Sequence, residues 1–428
     1  MARAGNIHYS WLVCSGCAIA LFCTSGLSIN AFTVYQPFLI DAYGLTGAES
    51  SAIITVRSLF AFIAMFLTAP YYKRISLRAG LTLATLLIAA GILLFGLARD
   101  FISCCFAAAV VGIAYGLGTM VPIAMLLGRW FEGGRNTALG ICTAVTGLST
   151  LGIPTLLTAL VETWGLTFAF TAEAVFIVLC ALACFVLVRS CPADMGLEPY
   201  GQGLLGDTTQ TMSQADKKPL AKRAWYVLAP MLLLLGGLTS VGYSHLSVFT
   251  SSNGFASHVT ALFITVSGVA LILSKIAFGF LSEKISVYRC NWLFGCCLIA
   301  GFVLLCVAQS SIVLMFCGVC LYGIGLATTT VGLTAWAGDL SDTAHYDQTV
   351  RRFQIGYAAG GLVFSPLPGI LADAFGGSYI PAYIFFAVCA VFVVLTIQAV
   401  YRFHTKGYVF TGAFLRSKKD SCVAFDKS

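Results

Sequence analysis

Twelve stretches of this chain are apolar over about the length a helix needs to cross a lipid bilayer, and that recurrence decides what the chain can fold into. They run roughly over residues 11–35, 51–70, 79–98, 102–127, 137–161, 166–188, 225–250, 257–281, 291–308, 311–334, 353–372 and 379–401. Hydrocarbon leaves no water to satisfy backbone N–H and C=O groups, so segments of this kind span as helices with all their bonds internal. The expected fold is therefore all-α and integral to a membrane. Composition requires the same, because 59% hydrophobic and 10% charged residues cannot cover a soluble protein of 428 residues. The 43 glycines suit helices that pack closely in lipid. The 17 cysteines are scattered through apolar runs without paired spacing, so neither a disulfide nor a metal site is expected. Arg3 gives the first segment a basic start, but its apolar run is too long for a signal-peptide core and no small-residue cleavage site closes it.

Charge sets the expected orientation. With both termini on one side, that side holds 21 of the 24 lysines and arginines, and only Arg99 falls on the other; Arg57 and Lys275 lie inside spans. By the positive-inside rule both termini are cytoplasmic in a multi-pass protein of the plasma (cytoplasmic) membrane. The net charge of +7 is thus a topology signal, not a nucleic-acid one. The longest connection, 189–223, is polar and Gly-rich and divides six spans from six. The expected organisation is a six-helix bundle over 1–188, a cytoplasmic linker over 189–223, a second bundle over 224–404 and a cytoplasmic tail over 405–428.

The halves repeat one another. ITVRS at Ile54 to Ser58 returns as ITVSG at Ile264 to Gly268, and Ile75-Ser76 returns as Ile285-Ser286, both shifted by 210 residues. YGLG at Tyr115 returns as YGIG at Tyr322, shifted by 207, and Gly147-Leu148 with Pro154 and Leu157 returns as Gly361-Leu362 with Pro368 and Leu371, shifted by 214. Four matches at nearly one offset, in corresponding spans, imply two pseudo-symmetric bundles with a site at their interface.

Three charged residues interrupt the spans. A Lys at the centre of a membrane helix costs about 2.5–3.5 kcal/mol on insertion scales. Lys275 lies six residues before Leu281, so its stem can snorkel to nearby water, or its ammonium faces an aqueous pathway and holds an anion. Arg57, which repeats Ser267, either snorkels, pairs with Glu173, or serves an anion site in the outer half. Glu173 is read as a structural partner or a proton site. Tyr115 and Tyr322, at equivalent places in spans four and ten, either contact the substrate or pack in the core; weaker candidates are Asn30 and Tyr35 in span one, Tyr243 and His245 in span seven and Trp336 in span ten, and the polar candidates of span eleven are Gln354, Tyr357 and Ser365. His245 can titrate near neutrality, although a lone His on a helix is more often simply hydrogen-bonded. Trp11 and Trp225 read as interfacial anchors.

The segment GRWFEGGRNTALGICTAVTGLSTLGIPTLLTALVETWG after span four carries Arg129, Trp130, Phe131, Arg135, Gly140, Gly147, Gly152 and Pro154. With two similar six-span halves, the chain resembles a major facilitator superfamily transporter, in the branch of the oxalate:formate antiporter and the monocarboxylate transporters. The resemblance covers essentially the whole chain. It implies a secondary transporter moving a small organic anion, a monocarboxylate, by alternating access. The superfamily's gating signature between spans two and three is degraded to Ala69, Pro70, Tyr71, Tyr72, Lys73, Arg74, with Arg78 beyond it; its repeat survives as Gly279, Leu281, Glu283 and Lys284. Lys73, Arg74, Arg78, Glu283 and Lys284 are the gating candidates, and inner-leaflet topology alone also accounts for the cations. Lys275 stands where the organic-anion branch carries a carboxylate-binding cation, usually Arg, so a two-pronged grip becomes a point charge. Leu271 stands where proton-coupled carriers of that branch place an Asp. Span eleven lacks the lysine of the oxalate carrier, which argues against a dianion.

Other classes fit less well. The five His, at 8, 245, 258, 345 and 404, make no catalytic or metal-ligand spacing, so no enzyme and no cofactor are expected. No phosphate-binding loop ending in Gly-Lys-Ser/Thr occurs, which removes ATP as a direct energy source. Expected partners are the bilayer, an organic anion, and either a proton or a counter-substrate, with no nucleic acid, and the chain is expected to act as a monomer. The rival is a drug or lipophilic-cation exporter of the same fold, using Glu173.

Overall fold

A computed structural model describes residues 8–45, 47–149, 151, 153–201, 222–255, 257–308, 311–342 and 345–423. Eleven helices among the described residues are long and apolar enough to cross a membrane. The twelfth crossing is the expected fifth span, which is broken into helices Arg135–Leu148 and Ile153–Trp164. Pro154 lies in the first turn of the second piece, where a missing N–H costs nothing, so the break is built into the sequence. The architecture is the expected twelve-helix, all-α membrane fold in two pseudo-symmetric bundles.

The unbroken spans are Gly47–Arg74 (span 2), Leu77–Leu97 (span 3), Leu166–Leu187 (span 6), Ser257–Ile285 (span 8), Val287–Val307 (span 9) and Ile380–Val423 (span 12). Spans 1, 4, 7 and 10 are interrupted. Span 1 passes from helix Tyr9–Leu21 into a π segment, Phe22–Asn30, and span 4 breaks at Thr119 between Phe101–Gly118 and Met120–Trp130. Span 7 begins at Lys222–Gly236 and span 10 at Ile312–Gly325, and each then carries a π turn, Gly237–Val241 and Thr328–Gly332. Span 11 pauses between Tyr346–Phe364 and Leu367–Ala374. Such irregular backbone survives at membrane depth only where protein or an aqueous path surrounds it, so these spans line the middle of the molecule. Caps fix several starts: Ser76 caps span 3 at the Ala79 N–H, and Asp100 and Ser103 form a capping box on span 4. Hydrogen bonds from the Ser103 side chain and backbone hold the Asp100 carboxyl below its ordinary range.

The repeat is visible in packing. A Cβ on Gly91 of span 3 would stand 3.1 Å from the Val111 nitrogen of span 4, and one on Gly301, 210 residues on, would stand 2.7 Å from the Cα of Tyr322 in span 10. Spans 3 and 9 thus receive the next helix at the same place in each half. The connection after span 6 is anchored where it starts. Tyr200 accepts hydrogen bonds from Glu132 and Gly133 through its carbonyl and packs its ring against Trp11 and Phe131, so the linker leaves from the first bundle at Gly201. Residues 202–221 of the linker and 424–428 of the tail lie outside the described residues.

Candidate functional site

Two helices from opposite halves bring their backbones into contact at two glycines. A Cβ on Gly140 of span 5 would lie 3.3 Å from the carbonyl carbon of Lys275 in span 8, and one on Gly279 would lie 3.1 Å from the Cα of Thr137. A Cβ on Gly147 would crowd Ile272. Lys275 sits in this seam, 5% exposed. Its Nζ donates to the Thr143 carbonyl at 3.2 Å and to the Thr146 hydroxyl at 3.1 Å, while that hydroxyl donates to the same carbonyl at 2.8 Å. The Thr146 hydroxyl bonds back to the Thr143 carbonyl one turn before it, which puts both oxygens beside one ammonium. Both partners are neutral, and no described carboxylate pairs with the lysine. Leu271 occupies the turn before it.

Towards the face that carries the basic connections the seam stays shut. Glu283 accepts from the Thr137 N–H at 2.9 Å and from its hydroxyl at 2.7 Å, joining the end of span 8 to the start of span 5. The Arg135 guanidinium lies 4.6 Å from the Tyr346 ring centroid, and a Cβ on Gly128 would meet the same ring at 3.1 Å. All these contacts cross from one half to the other.

A second polar group surrounds Arg57, which is 8% exposed. Its Nη1 donates to the Ser28 carbonyl at 2.9 Å and its guanidinium lies 5.3 Å from the Phe32 ring centroid. Tyr115 is hydrogen-bonded to Ser25 and lies near Arg57 and, across the halves, near Tyr357. Tyr357 accepts from the Thr239 hydroxyl at 3.3 Å and is hydrogen-bonded to Thr329, and Tyr243 is hydrogen-bonded to Ser267, the residue that repeats Arg57. Arg57, Tyr115 and Tyr357 are therefore brought together between the halves.

Other candidates go elsewhere. Arg57 does not pair with Glu173: the Tyr35 hydroxyl donates to Glu173 Oε2 at 2.7 Å, and Tyr35 stacks on Phe170 with centroids 4.1 Å apart. Tyr35 is thus packed between spans 1 and 6 instead of facing a substrate path. Glu173 is buried with Oε1 unpartnered. Tyr322 is likewise core: its hydroxyl donates to the Thr239 carbonyl at 3.1 Å and its ring meets Phe302 edge-on. Trp336 donates to Asn291 at 2.7 Å inside the second bundle. His245 Nδ1 is 3.0 Å from the Val241 carbonyl of its own helix. The side chain of Asn30 lies outside the description.

Among the gating candidates only Glu283 bridges the halves. Arg78 donates to the Phe185 carbonyl at 2.8 Å and caps that ring, tying span 3 to span 6, and Lys284 lies over Phe280 one turn back on its own helix. Lys73 and Arg74 are exposed. In the degraded signature the tyrosines do the fastening, Tyr71 to the Gly80 carbonyl and Tyr72 to the Leu117 carbonyl, each at 2.9 Å. Residues missed from sequence are Thr143 and Thr146, Thr137 opposite Glu283, and Tyr346 under Arg135. The spacing of Gly140, Thr143 and Gly147 was the available signal for the first two.

The sequence matches the profile of the Major Facilitator Superfamily over residues 17–285 and 232–411. This chain belongs to that superfamily. Superfamily proteins are transporters, not enzymes. The fold is similar to the crystal structure of the superfamily transporter FucP in the outward conformation, with a TM-score of 0.68 at 14% identity, covering 91% of this chain and 98% of that one. Among curated proteins, monocarboxylate transporter 12 of Rattus norvegicus is 23% identical over 422 residues, covering 90% of this chain and 84% of its own. Multidrug resistance protein MdtG of Dickeya zeae is 25% identical over 300 residues, covering 66% of this chain and 67% of its own.

Proposed function

We propose that this superfamily member is a secondary transporter of a small organic anion, with a monocarboxylate as the preferred class, working by alternating access with both termini in the cytoplasm. The observation that carries the reading is the Lys275 ammonium, buried in the seam between the halves with only neutral partners. A unit pair at 4 Å is worth about 1 kcal/mol in water and about four times that at an effective dielectric of about 20, so a carboxylate gains by replacing two threonine oxygens. The similarity to monocarboxylate transporter 12 supports the substrate class. Arg57, Tyr115 and Tyr357 are the residues we assign to enclose the rest of the anion. Lys275→Gln should fold, since it removes a buried charge, and should abolish anion uptake, whereas Lys275→Arg should keep partial uptake with altered preference. Equal uptake by Lys275→Gln and the parent at matched protein levels overturns the assignment.

Coupling does not use an acid beside the cation, because position 271 is Leu. Exchange against a second anion, or proton movement through Glu173 or His245, are the remaining routes. The exporter alternative draws on the similarity to MdtG and on the unpartnered Glu173 Oε1. Under the anion reading Glu173→Gln keeps anion-for-anion exchange, which moves no proton, and under the exporter reading it removes drug efflux.

A further inference from the structure

Pseudo-symmetry makes the contact of spans 2 and 11 the counterpart of the span 5 to span 8 seam, yet the two differ. Where Gly140 and Gly279 bring backbones together in one, the other opens into a groove of about 670 Å³ that includes Phe66 of span 2, Trp225, Ala229 and Leu232 of span 7, and Arg351 and Arg352 of span 11. The groove straddles both halves. Arg352 lies over the Trp225 ring, 5.1 Å from its centroid, and Arg351 is half-buried beside it. Neither arginine is in an ion pair among the described residues.

We propose that this groove binds one anionic phospholipid of the cytoplasmic leaflet, its phosphate held by Arg351 and Arg352 and one acyl chain lying along Phe66, Ala229 and Leu232. The geometry selects a lipid over a soluble anion. Phe66, 51% exposed, stands eight residues before the end of span 2 at Arg74, roughly 12 Å along the helix, so the apolar floor lies at acyl-chain depth below the charged rim. Trp225 marks the interfacial level between them. Guanidinium groups grip phosphate in two-pronged fashion, and basic pockets between membrane helices on the cytoplasmic side take acidic headgroups. The lipid rests on the positive-inside orientation but not on the identity of the transported substrate.

The test is native mass spectrometry of the full-length detergent-purified protein titrated with phosphatidylglycerol or phosphatidylcholine. One saturable phosphatidylglycerol should be retained in preference to phosphatidylcholine. Arg351→Gln together with Arg352→Gln should weaken that retention on the order of thirtyfold. Ala229→Trp, which fills the floor and leaves the charge, should weaken it too. Arg289→Gln, an exposed arginine outside the groove, should retain the lipid as the parent does. Equal retention of the two lipids, equal loss in Arg289→Gln, or full displacement of the lipid by glycerol phosphate each overturns the proposal, the last in favour of a soluble-anion site. Because binding is read directly, a failure here leaves the role of Lys275 in transport untouched, and a transport defect in Lys275→Gln leaves this site untouched.

Discussion

Lys275 is held by two oxygens; on the proposed function a bound anion would have to displace them, so the threonines would compete with the substrate for the ammonium. Thr146→Val removes one competitor at nearly constant shape. A hydrogen bond to a charged group is worth about 1.5–3 kcal/mol, so the variant should melt at lower temperature when empty and bind a carboxylate on the order of tenfold more tightly, as read by thermal-shift titration. Weaker binding instead assigns the hydroxyl to the substrate. Lys275 and Arg57 were legible in the sequence because cations inside spans are rare. Their partners were not. Most span threonines bond their own helix, as Thr24 does to Ala20 and Thr85 to Leu81, and nothing in a sequence says which hydroxyl has a lone pair to spare. The packing of Tyr35, Tyr322 and Trp336 was hidden for a related reason, since spans apolar on every face give no direction to an aromatic ring.

At the scale of elements, the glycines of span 5 let two backbones touch, and on the proposed function that contact opens and closes. Gly140→Val inserts atoms where the Lys275 carbonyl lies, so the closed seam should become the strained state. Hydrogen–deuterium exchange should rise over 136–148 and 272–283 in the variant while spans 3 and 9 keep their protection. Unchanged exchange in both segments would mean that the seam tolerates the methyls and does not gate. The internal repeat and the number of crossings could be read from offset and hydropathy alone. The π turns of spans 1, 7 and 10 could not, because a hydropathy pattern records what a segment is made of and is blind to one extra residue in a turn.

For the whole molecule, orientation is the most direct check. Lys217, Lys222 and Arg223 are trypsin sites in the linker, so added trypsin should cut between the halves in inside-out vesicles and not there in sealed right-side-out ones; the reverse pattern inverts the topology. A last consequence concerns voltage. On the proposed function, a lysine with no counter-charge among the described residues makes the empty carrier's site a positive charge inside the membrane field, where an elementary charge crossing the full drop is worth about 2.3 kcal/mol per 100 mV. A bound monoanion cancels it. Return of the empty carrier should then respond to membrane potential and reorientation of the loaded one should not, so a carboxylate jump on a supported membrane should give a transient current that Lys275→Gln abolishes. The ammonium would act as an electrical sensor as well as a ligand.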